Sequence, residues 1–225
     1  MKVLFVLLTG IGLIACSQLD NQTNLELKKS DIEEVSTHLD TNFREGDIVF
    51  QTSGSGQSLA IQLATHSPYS HCGILIEKNG QLLVFEAVQP VKFTPIDQWI
   101  KRGDDQFYVV KRLIKADSIL NETSIHNMRK LALDFEGKDY DLPFEWSDDK
   151  LYCSELVYKL YQKTTGLEVG KLASMKDFDL SSSIVKRIMK ERYGTAIPLD
   201  QQVISPAAIF ESPLLVTVKE RGRGN

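Results

Sequence analysis

The chain has 225 residues, 42% of them hydrophobic and 25% charged. That ordinary globular balance excludes a disordered, collagen-like or multi-span membrane chain, and the length suits one domain with a sizeable core. Lysine and arginine number 26 against 30 aspartates and glutamates, a net charge of −4 with no long basic run, so nucleic acid is not expected as a main partner. Three cysteines are too few for a disulfide-built scaffold.

After Met1 and Lys2, residues 3–15 are almost wholly apolar. At about 1.5 Å per residue they are too short to cross a hydrocarbon core of about 30 Å, so residues 1–15 read as a signal peptide. Leu13-Ile14-Ala15-Cys16 resembles the bacterial lipobox, in which the cysteine becomes the lipidated first residue. The resemblance implies a lipid anchor on Cys16, a membrane held without a spanning helix, and a place in the bacterial cell envelope. Ser17, rather than aspartate, follows the cysteine. That resembles an outer-membrane signal facing the periplasm, or the outer surface of a cell with one membrane. Residues 16–42 read as the lipidated cysteine and a tether. Ile32, Val35 and Leu39 predict a short amphipathic helix over 28–40.

A strand, IVFQ, follows Gly46-Asp47, and the Ser/Gly-rich stretch 52–58 reads as a loop before a short helix over 58–65. Two β-favouring runs, 71–77 and 81–88, flank Lys78-Asn79-Gly80-Gln81. Asn-Gly is the strongest short hairpin signal, because both turn residues need positive φ. Residues 107–113 predict another strand. Helical stripes follow over 122–136 and over 153–163, the second beginning at Cys153, with Ser147, Asp148 and Asp149 as capping candidates. A further helix is predicted over 182–193, a helix start at Ser205-Pro206 and a last strand over 214–218. Helices and antiparallel strands in separate runs make the class α+β, an antiparallel sheet packed against helices. The domain is expected over 43–218, with a tail over 219–225.

Taken literally, the Asn79-Gly80 turn makes paired residue numbers sum to 159. Gly73 then faces Glu86 and His71 faces Val88, so His71 and Glu86 are diagonal neighbours on one face, with Cys72 on the other. Cys153 starts a helix, and a helix N-terminus favours a thiolate. Thiolate, histidine and carboxylate together form a nucleophilic triad. Rival readings stand beside it. Each residue could be ordinary structure. Cys72 and Cys153 could form a disulfide, against which the opposite faces of Cys72 and His71 argue if Cys153 meets His71. His66, His71 and Cys153 could bind zinc, but their spacings match no common signature. Trp146 and Tyr152 either line a pocket or pack.

GDIVFQTS (46–53), SPYSHCGI (67–74), VFEAVQP (84–90), GKDYDLPFEWSDDKLYCSELV (137–157), KDFDLSS (176–182) and ISPAAIF (204–210) resemble the YiiX/YaeF-like permuted papain-fold amidases, relatives of the NlpC-type cell-wall peptidases. The resemblance implies a circularly permuted papain-like (NlpC-like) fold and a triad in the order His71, Glu86, Cys153, with Tyr140 aiding oxyanion binding. It implies a thiol-dependent amide hydrolase, with neither metal nor organic cofactor. The expected substrate is a cell-envelope amide, either a peptidoglycan peptide or a lipid or N-acyl amide. A cysteine acyltransferase and a non-catalytic surface binding module are the alternatives.

Overall fold

A computed structural model describes residues 43–222. The signal peptide, Cys16, the tether with its helix, and residues 223–225 lie outside the described residues. The class is α+β. Six antiparallel strands form one sheet in the order β10-β5-β1-β2-β3-β4. They are β1 (Ile48–Gln51), β2 (His71–Lys78), β3 (Gln81–Glu86), β4 (Lys92–Pro95), β5 (Tyr108–Leu113) and β10 (Leu215–Arg221). Two-stranded ribbons pair β6 (Asp139–Tyr140) with β7 (Lys150–Leu151), and β8 (Ala173–Ser174) with β9 (Gln202–Val203). The helices are α1 (Gly56–Thr65), α2 (Ile96–Lys101), α3 (Ala116–Ile119), α4 (Glu122–Phe135), α5 (Cys153–Thr165), α6 (Ser183–Tyr193) and α7 (Pro206–Phe210).

The hairpin forms as its turn residues dictate. Asn79 and Gly80 have φ of 54° and 77°, the sign that a tight two-residue turn requires. Lys78 pairs with Gln81, and the register runs back to Ile74 opposite Phe85. Phe50, Cys72, Ile74, Ile76 and Phe85 on one sheet face pack against α4 and α5. In α5, Leu156 and Leu160 are fully buried, each stabilising by about 1.5–3 kcal/mol. Val49, Leu75, Val84 and Val110 on the other face cover Ile96 and Trp99 of α2.

Several elements differ from the sequence reading. Helix α1 starts at Gly56, two residues early, because the Ser55 hydroxyl accepts the Ser58 N–H at 3.1 Å. Strand β4 and helix α2 have no counterpart among the elements expected from sequence; Pro90 and Pro95 break the period there. The last strand continues to Arg221, so the expected tail begins as sheet. Ser147, Asp148 and Asp149 do not cap α5. Tyr152 stands at its N-cap, and Glu155 reaches back to accept the Tyr152 N–H at 3.3 Å. Asp148 instead pairs with Lys159 at 2.9 Å and with Lys163.

Candidate active site

The candidate site lies where the start of β2, the end of β3 and the N-terminus of α5 meet. Glu86 is fully buried and its carboxylate is saturated. His71 Nε2 lies 2.7 Å from Oε2, Thr94 Oγ1 donates to Oε1 at 2.6 Å, and Arg102 Nη2 reaches Oε1 and Oε2 at 2.5 and 2.7 Å. Gly73 makes the close approach possible. A Cβ there would come within 2.5 Å of Val84 Cγ1 and 3.4 Å of Glu86 Cβ. Trp99 stacks on the His71 ring with centroids 6.2 Å apart, limiting its rotation.

Nε2 is committed to Glu86, and Cys153 acts on the same imidazole as a hydrogen-bond partner and as a charge. Cys153 opens α5 and is 3% exposed. Burial opposes charge on His71, but the hydrogen bonds and charges of Cys153 and Glu86 outweigh it and raise the imidazole to about 9. Burial likewise opposes the Glu86 carboxylate, while His71, Thr94 and Arg102 together lower it to about 2. The Cys153 thiol is lowered well below its usual range, first by the Cys72 side chain and then, against burial, by His71. Both shifts favour thiolate and imidazolium over the neutral pair, beside a carboxylate held in its charged form.

Cys72 corrects one expectation. It does lie on the face opposite His71, among the residues that meet α4 and α5. That placement does not keep it from Cys153, because α5 packs on that same face. The Cys72 side chain and backbone both hydrogen-bond Cys153. Both cysteines are free, so the disulfide is not formed. Burial and the Cys153 charge push the Cys72 thiol well up, leaving it an S–H donor. The zinc alternative meets a different outcome. His66 sits 75% exposed at the end of α1, 3.3 Å from Asp179. Among the described residues, no group of three or more His, Cys, Asp or Glu side chains is disposed to hold a metal ion.

Tyr140, in β6, lines both an apolar pocket beside Cys153 and a polar groove beside His71. The pocket occupies about 710 Å³ including its open mouth, with Ala60, Met175, Val185, Met189 and Val203 among its walls. Tyr152 lines it too, and its hydroxyl accepts the Ile204 N–H at 3.1 Å. Trp146 instead packs edge-on against Tyr158 and under Lys159. Sequence reasoning missed Thr94, Arg102, Gln57 and Arg192. None lies within ten residues of Cys153 in sequence, and a single charged or polar residue carries no pattern of its own.

The comparisons agree on this scaffold. A family model described as "Permuted papain-like amidase enzyme, YaeF/YiiX, C92 family" matches residues 42–219. The chain is 50% identical over 173 residues to "Uncharacterized protein YiiX" of Escherichia coli (strain K12), covering 77% of this chain and 84% of that protein. It is also similar to the crystal structure of metalloprotein yiiX from Escherichia coli O157:H7, with a TM-score of 0.75 and 48% identity. That match covers 79% of this chain and 97% of the other. The chain belongs to the YaeF/YiiX (C92) family of permuted papain-like amidases.

Proposed function

We propose that this protein is a cysteine amide hydrolase acting on an amide that carries an apolar acyl chain. The observation that carries the reading is a buried thiol–imidazole–carboxylate line opening into an apolar pocket. Cys153 is the nucleophile, His71 its proton partner and Glu86 the carboxylate that orients and stabilises the imidazolium. The Cys153 thiolate attacks the substrate carbonyl carbon, and the carbonyl electron pair moves to oxygen. The Cys153 backbone N–H, at the start of α5, and the Tyr140 hydroxyl stabilise that oxyanion. The tetrahedral centre collapses, the C–N bond breaks, and the leaving amine takes its proton from His71. Water, deprotonated by the now neutral His71, attacks the thioester and releases the acid, restoring the ion pair.

The pocket wall favours an acyl chain over a charged peptidoglycan peptide, since burying unpaired charge there is costly. The relative of known structure is described as a metalloprotein. Among the described residues here, no group of three or more His, Cys, Asp or Glu side chains could hold a metal ion. The envelope location rests on residues 1–17 and supports a lipid-derived amide.

The test is turnover of N-acetyl and N-octanoyl p-nitroanilides by the purified protein. The expected kcat/KM rises with chain length, with about 0.8 kcal/mol available for each methylene buried. Cys153→Ala is expected to lower turnover by at least about a thousandfold. Turnover that survives Cys153→Ala sinks the reading. Acyl release that needs an added amine or alcohol would favour the acyltransferase, and an inert Cys153 would favour the binding module.

A further inference from the structure

Resting on the hydrolase reading above, we propose that Gln57 and Arg192 are positioning residues that aim the proton of the Tyr140 hydroxyl at the oxyanion formed on Cys153. Arg192 Nη2 donates to Gln57 Oε1 at 2.9 Å, and Gln57 Nε2 donates to Tyr140 Oη at 2.9 Å. A guanidinium has donors only, so the Gln57 amide must turn its oxygen toward Arg192. The flipped amide would set two donors face to face, so this orientation follows from chemistry rather than from placement of the two atoms. The amide NH₂ is then committed to Tyr140. The Tyr140 oxygen must accept there, and its single proton must point elsewhere.

That proton has somewhere to go. Among the described residues, the bond accepted from Gln57 is the hydrogen bond of the Tyr140 hydroxyl. Tyr140 and Gln57 both line the apolar pocket that holds Cys153. Burial and the negative charge of Cys153 hold the Tyr140 hydroxyl well above its ordinary range, so it keeps its proton across the working pH. Three elements supply the relay: Arg192 from the end of α6, Gln57 from the first turn of α1 and Tyr140 from β6. The guanidinium lies over the Phe144 ring at 4.3 Å, which limits its swing. A hydroxyl whose direction is set before reaction costs no reorganisation when charge develops on the carbonyl oxygen.

Gln57→Glu tests this, because it keeps the shape and reverses the polarity. A carboxylate accepts from both neighbours, so it takes the Tyr140 proton for itself. Acylation of Cys153 by p-nitrophenyl octanoate passes through an oxyanion. Alkylation by iodoacetamide displaces iodide and does not, so it reports the thiolate alone. The readout is the ratio of the two rates in the full chain. Gln57→Glu is expected to lower that ratio about tenfold to a hundredfold, and Tyr140→Phe by a similar factor. The double variant is expected to fall no further than Tyr140→Phe. An unchanged ratio in Gln57→Glu overturns the proposal, as does a double variant whose losses multiply. Should Gln57→Glu fail to fold, Arg192→Met carries the test. Its ratio is expected to fall severalfold, but not in a Tyr140→Phe background; no fall overturns the proposal. Wild-type Cys153 that alkylates but accepts no octanoyl group would sink the hydrolase reading itself, and this inference with it.

Discussion

Cys153 draws its low pKa from two neighbours of different kinds. Cys72 gives a weak S–H hydrogen bond, and His71 gives a charge. Cys72→Ala removes the first and is expected to raise the pH at which Cys153 alkylates, while His71→Ala is expected to raise it as well. Alkylation rate against pH in the two variants checks this, and an unmoved Cys72→Ala profile would assign the effect to His71 alone. The imidazole raised from 6.5 to about 9 sets the alkaline side. On the proposed mechanism the leaving amine needs the His71 proton, so amide turnover is expected to fall as pH rises through about 9. Alkylation needs only the thiolate and is expected to hold its plateau there. Parallel profiles for both reactions would contradict that division of roles. The same shift makes the His71 contribution to stability full below about 6.5 and lost as pH rises through about 9.

At the scale of elements, β4 and α2 hold the carboxylate. Thr94 comes from β4 and Arg102 from the end of α2, and both converge on Glu86. Thr94→Val removes a buried hydrogen bond to a charged group and is expected to cost about 1.5–3 kcal/mol, measurable by urea unfolding. Glu86 is depressed from 4.5 to about 2, so its contribution to stability is present above about 4.5 and lost as pH falls through about 2. Arg102→Met weakens the depression, and acid unfolding is then expected to begin at higher pH; an unmoved acid limb would count against this role for Arg102. The hairpin, by contrast, was legible from its turn. Two residues with positive φ set the register, and the register places Glu86 a diagonal step from His71.

At the scale of the whole molecule, the sheet pairs Arg221 with Tyr108, and packing of α5 on it brings Cys153 to His71, 82 positions away in sequence. The remaining expectation concerns residues outside the described part. If Cys16 is the lipidated first residue, Cys16→Ala is expected to move the protein from the membrane fraction to the soluble fraction on cell fractionation. A protein that stays membrane-bound would contradict the lipobox reading.

By itself the sequence determined the class, the hairpin with its register, and the helix that opens at Cys153. These depend on local rules: turn residues that tolerate positive φ, alternation along a strand, and apolar spacing along a helix. The pattern of motifs along the chain also carried the family. Only the tertiary structure decided what surrounds the thiol. Cys72 reaches Cys153 because α5 packs on the Cys72 face, which strand alternation cannot reveal. Arg192 meets Gln57 from 135 residues away and Thr94 and Arg102 converge on Glu86 from β4 and the end of α2, so a lone polar residue acquires its role from the partner that packing supplies. The apolar pocket beside Cys153 is likewise a product of α1, α6 and β9 meeting, since each wall residue taken singly reads as ordinary core.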